Sequence, residues 1–150
     1  MFPERVSKKI EFELQELDNL LETYRQEIEE CLEAKETPVG LEIIGVAGTL
    51  QSFYQNLERI FAIIVKEIDE EAPTGGGWHK KLLMQVSRET DKRPAVISKE
   101  LKEELDEYLG FRHVQRNIYS HNLKWEEFEH LVIKLEDVKN RFKKEVNSFL

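Results

Sequence analysis

The stretch IEFELQELDNLLETYRQEIEEC, residues 10–31, sets its apolar side chains at Ile10, Leu14, Leu17, Leu21, Tyr24, Ile28 and Cys31. The steps between them alternate four and three, which makes one apolar seam along a helix. Acidic residues fill the other faces. The seam predicts a helix of about seven to eight turns. It should stop near Thr37-Pro38, because Pro38 disfavours helix in the residue before it.

The same period recurs downstream. Ile43, Val46, Ala47, Leu50, Phe53, Tyr54, Leu57, Ile60, Phe61, Ile64 and Ile68 predict a second helix over about Leu41–Asp69. Its wider stripe marks it as the most buried helix. Gly45 and Gly48 each cost about 1 kcal/mol of helix propensity, which implies that another helix crosses closely there. Pro73-Thr74-Gly75-Gly76-Gly77 is a clear break. It lacks the spacing and the Gly-Lys-Ser/Thr end of a phosphate-cradling loop, so it reads as a connector. A short helix follows from Trp78 to about Arg88, then a loop at Thr90–Pro94. Ser98 is a candidate N-cap for a helix reaching about Tyr119. Ser120-His121-Asn122 reads as a turn. One last helix places Phe128, Leu131, Val132, Leu135, Val138, Phe142, Val146 and Phe149 on one face. No alternating strand pattern competes. The expected fold is all-α, an antiparallel helical bundle of four main helices plus one short helix, with residues 1–150 as a single helical domain.

Composition narrows the function classes. Charged residues make up 35% of the chain and hydrophobic residues 40%, which argues for an ordered helical protein over a low-complexity one. Cys31 is the one cysteine, so an internal disulfide and a cysteine-cluster metal site are excluded. It continues the first seam and reads as a small core residue, not a nucleophile. None of His79, His113, His121 and His130 forms an HExxH pair. His113 and His121 fall roughly 80° apart on a helix, so no metal site and no cofactor are expected. No segment is apolar enough to span a membrane, and MFPERVSKKIEFELQEL is too acidic and periodic for a signal peptide. The expectation is a soluble, cytoplasmic protein. Trp78 and Trp125 flank helix starts, where packing is the default role.

A net charge of −8 disfavours general nucleic-acid affinity. The charge is uneven, however. Residues 78–93 and 108–125 each carry +3, and every other window is negative, so an anionic partner belongs at these two windows. The second window contains Phe111-Arg112-His113-Val114-Gln115-Arg116-Asn117-Ile118-Tyr119-Ser120-His121-Asn122. Arg112 and Arg116 are four apart and share a helix face. His121 is five from Arg116, or 140° away on an unbroken helix. The two converge only if the helix ends or bends near Ser120, or if a second subunit supplies one of them. On the residues alone, a solvated basic face fits as well as a site.

Arg116-Asn117-x-x-x-His121 resembles the Arg-x4–6-His motif of the HEPN superfamily, including the polar residue after the arginine. Its position near the end of the penultimate long helix is also similar. The chain as a whole resembles HepT-type ribonuclease toxins. That resemblance implies a metal-independent endoribonuclease, a homodimer with both motifs facing a common cleft, RNA as substrate, and an MNT-type nucleotidyltransferase antitoxin as partner. It implies catalytic roles for Arg116 and His121, with Asn117 orienting His121 or the phosphate. The residue types suit the chemistry: histidine titrates near neutrality and can move a proton, and arginine stays charged on a phosphate. Arg112, Lys80, Lys81, Arg88, Lys92, Arg93 and Lys124 are candidates to bind RNA phosphates. Many HepT toxins carry a tyrosine two residues after the histidine, where the antitoxin attaches AMP. Here that residue is Leu123, and the nearest hydroxyls are Tyr119 and Ser120. Occlusion by the partner is therefore expected over AMP transfer. The competing readings are a non-catalytic helical partner module of a nucleotidyltransferase and a scaffold without an enzymatic site.

Overall fold

The computed structural model describes residues 2–150. Six α-helices follow in order: α1 (Glu4–Glu33), α2 (Leu41–Glu67), α3 (Trp78–Val86), α4 (Lys99–Asn117), α5 (Trp125–Ile133) and α6 (Leu135–Phe149). A 3-10 turn, Ser120–Asn122, joins α4 to α5. Among the described residues there is no strand, only an isolated bridge between Thr90 and Arg93. The architecture is the all-α bundle that the periodicities predict.

α2 lies at the centre. Leu50, Phe53, Tyr54, Leu57, Ile60, Phe61 and Ile64 are all fully buried. α1 lays Val6, Ile10, Leu14, Leu17 and Leu21 against it, and α3, α4 and α5 pack on the remaining sides. Phe53 meets Tyr108 of α4 and Phe61 meets Phe142 of α6, with ring centroids 5.4 and 5.8 Å apart. Buried aromatics of this kind dominate the apolar area removed from water. The expected cap is present: the Ser98 hydroxyl accepts from the Leu101 N–H at 3.1 Å. Glu145 of α6 accepts from the Ser98 backbone N–H at 2.5 Å, which ties the start of α4 to the C-terminal helix.

Three expectations change. The last apolar stripe is carried by two helices, since Lys134 leaves helical geometry (φ −95°, ψ 4°). Hydrogen bonds from the Lys134 N–H to His130 and from the Val138 N–H to Lys134 continue across the kink. The stripe keeps its period for that reason, and neither proline nor glycine marks the break. The seam of α1 runs past the part of it that is buried: Tyr24 is 44% exposed, and Ile28 and Cys31 are half-buried. No helix crosses closely at Gly45 and Gly48, because a Cβ at either would meet nothing within 4 Å. Both glycines line an open groove of about 690 Å³ between the end of α1 and the start of α2. Within that groove burial and Glu42 push the Cys31 thiol up, which suppresses the thiolate a nucleophile needs.

Candidate functional site

α4 ends at Asn117, earlier than the expected end near Tyr119. The next residue, Ile118, is extended (φ −126°, ψ 158°). Asn117 is the last helical residue, and its Nδ2 donates to the His113 carbonyl at 2.7 Å. The chain then turns through Ser120–Asn122, closed by the Asn122 N–H on the Tyr119 carbonyl at 2.8 Å. The bend that an Arg116–His121 pairing requires within one chain is thus present.

Side chains in this segment face water. Arg116, Asn117, Ser120, His121 and Lys124 are exposed. Tyr119 is 74% exposed and stacks on His121, with ring centroids 5.5 Å apart and planes 10° from parallel. This stack presents the Tyr119 hydroxyl to solvent. Asn117 is engaged with His113, where Nδ2 also approaches the ring Nε2 at 3.5 Å, and not with His121.

The candidate phosphate ligands divide into two groups. Lys80, Lys81, Arg88, Lys92 and Lys124 are exposed, although Lys92 leans on the Asp69 carbonyl at 3.2 Å. Arg93 and Arg112 are buried and leave the exposed set. Arg93 grips Asp69 through Nε at 2.6 Å and Nη2 at 2.8 Å, and it donates to the carbonyls of Arg88, Pro94 and Gln85. It thereby ties the loop after α3 to the end of α2. Arg112 pairs with Glu58 of α2, and both are over nine-tenths buried.

Glu58 is the functional-looking residue that the sequence reading passed over. Its Oε1 accepts from Arg112, and its Oε2 lies 2.6 Å from His79 Nδ1. Trp78, the first residue of α3, stacks on the His79 ring at 3.7 Å and stays 40% exposed. A signal was available in the sequence. Glu58 is a lone carboxylate inside the wide stripe of α2, flanked by Tyr54 four residues before it and Phe61 three after. A charge placed there demands a partner. Burial, with Glu58 adding to it, pushes the Tyr54 phenol upward, and this hydroxyl has no hydrogen-bond partner among the described residues. Among the same residues no cluster of His, Cys, Asp and Glu could hold a metal ion. No described helix is long and apolar enough to cross a membrane.

Residues 45–150 match the model of a family described as HepT-like protein. The chain belongs to the HepT-like family. The match runs from Gly45, one turn into α2, through α6, and takes in Glu58, His79, Arg112 and the whole Arg116–His121 segment. No curated protein and no solved structure matches the chain.

Proposed function

We propose that this HepT-like chain is a metal-independent endoribonuclease toxin of a toxin–antitoxin pair. The reading is carried by one observation: Arg116 and His121 both stand exposed across a helix end, in a segment with no acidic residue. In the proposed reaction His121 removes the proton of an RNA 2′-hydroxyl. The alkoxide attacks the adjacent phosphorus, and the 5′-oxygen leaves with a proton, giving a 2′,3′-cyclic phosphate. Arg116 holds the phosphate oxygens as their negative charge grows. One imidazole can be the base, and a second must be the acid. A C2 homodimer with facing 108–125 segments would supply both and double the local positive charge. A mass close to 17.8 kDa in light scattering, with full activity, would exclude that dimer.

Asn117 stands at the last position of α4, between the two motif residues. An MNT-type nucleotidyltransferase is the proposed antitoxin. The exposed Tyr119 hydroxyl now favours AMP transfer to this residue over simple occlusion, because it is offered to an enzyme and not packed inward. Intact-mass measurement after co-expression with the nucleotidyltransferase checks this: an AMP-sized increase mapped to Tyr119 is expected. For the nuclease itself, Arg116→Ala and His121→Ala should each lower RNA cleavage by about 10²–10⁴-fold at unchanged helical content. Activity should survive EDTA. Normal cleavage by either variant would leave the non-catalytic partner module as the better reading.

A further inference from the structure

The two positive windows of the sequence meet through one buried carboxylate. Glu58 holds Arg112 of the 108–125 window on one oxygen and His79 of the 78–93 window on the other. A carboxylate on Nδ1 makes that nitrogen a donor and turns Nε2 away from Glu58. Nε2 has no protein partner among the described residues, and the side chain is 24% exposed. The imidazole is therefore locked in orientation with one polar atom left open. Trp78 covers one face of this ring and is itself 40% exposed, in contrast to Trp125, which is 4% exposed and packed on Phe128. Lys80 and Lys81 follow immediately and are exposed. An open indole beside a held imidazole and two exposed ammonium groups, of which Lys81 also reaches the Thr74 carbonyl at 3.4 Å, is the combination that a single-stranded nucleic acid uses: a flat ring to stack a base, a polar atom to meet its edge or sugar, and cations for the backbone. Arg116 stands one turn along α4 from Arg112, so the cluster adjoins the turn that carries the motif.

We infer that Trp78 and His79 form a second RNA subsite, in which Trp78 stacks a nucleobase and His79, positioned by Glu58 and Arg112, hydrogen-bonds the same nucleotide through Nε2. The inference rests on RNA being the substrate. A free nucleotide offers the same base, so the test carries both ligands.

The probes are a 2′-O-methyl hexa-adenylate, which cannot undergo transesterification, and AMP. Quenching is read from tryptophan emission, with buried Trp125 as a constant background, and the affinity of every variant from isothermal titration calorimetry, which needs no tryptophan. The hexamer should quench emission in the unaltered chain. Trp78→Phe should abolish the quenching and keep affinity within about threefold, since phenylalanine still stacks. Trp78→Ala should weaken binding about tenfold or more. His79→Ala should weaken it less, at unchanged far-ultraviolet circular dichroism. Absent quenching, or a Trp78→Ala variant that binds like the unaltered chain, overturns the subsite. If cleavage is meanwhile lost in Arg116→Ala and His121→Ala, the nuclease reading stands alone. Trp78-dependent quenching in a chain that cleaves no RNA supports the subsite and removes the nuclease reading instead. AMP binding as tightly as the hexamer overturns RNA as the ligand.

Discussion

Arg112 and Arg116 stand one helical turn apart on α4, yet their surroundings are opposite. Arg112 is 6% exposed and ion-paired with Glu58, whereas Arg116, in the last turn of α4, is exposed. The same division separates Arg93, clamped on Asp69, from Lys80 and Lys81. A basic side chain that faces the bundle must take a carboxylate with it, since an unpaired buried charge is costly. In an acidic chain such partners are plentiful. Within the two positive windows the cations left exposed are therefore the informative ones, Arg116 at the end of α4 and Lys80 and Lys81 at the start of α3 among them.

The sharpest way to break this comparison is to exchange the roles. Arg112→Ala should leave Glu58 buried without its guanidinium and cost about 3–5 kcal/mol. The melting temperature should then fall by roughly 10 °C. Arg116→Ala should stay within about 0.5 kcal/mol of the unaltered chain, as a surface change. Thermal unfolding of the two variants side by side checks both, and equal losses would erase the distinction.

Arg93→Ala should resemble Arg112→Ala, because it strips Asp69 of both charged donors and frees three carbonyls. Proteolysis at the 87–97 loop should accelerate along with the loss of thermal stability. Lys80→Ala together with Lys81→Ala belongs to the other class. Their removal should leave stability unchanged and flatten the salt dependence of RNA binding by about two ions' worth, measured as the slope of log affinity against log salt.

Smaller effects sharpen the contrast between buried polar atoms and surface pairs. Tyr54→Phe removes a buried hydroxyl that has no partner, so it should be neutral or stabilising by up to about 1 kcal/mol in denaturant melts. Glu67 sits at the surface, where hydrogen bonding from Lys9, aided by Arg5, holds its carboxyl below the usual carboxylate range. A depressed folded-state pKa means stability that is present above the unfolded carboxylate value and is lost as pH falls through the folded one. Glu67→Gln should therefore lower the melting temperature slightly near neutrality in low salt. The difference should vanish in strong acid or high salt.

Most of the architecture was legible in the residues. The four-three steps of α1, the wide stripe of α2, the Pro-Gly break before α3 and the Ser98 cap each act through local spacing or local backbone chemistry, which a linear string records. The kink at Lys134 was not legible, since no helix breaker stands there and the stripe keeps its period across it. Gly45 and Gly48 misled for a related reason: a missing side chain shows that space is available, not what occupies it. Of the candidate site, the motif residues and the turn at Ser120–Asn122 could be read from local residue types, whereas the end of α4 at Asn117, two residues before the expected Tyr119, could not.

What the sequence determined by itself was the helix content, the apolar faces and the two windows of positive charge. These depend on composition and on a period of 3.6, both local properties. Only the tertiary structure decided which of those positive charges are free. Arg93 and Asp69 are joined across a loop, Arg112 and Glu58 across two helices, and His79 reaches the same carboxylate from a third. A charge becomes structural or available according to what packs over it, and packing is set by residues distant in the chain.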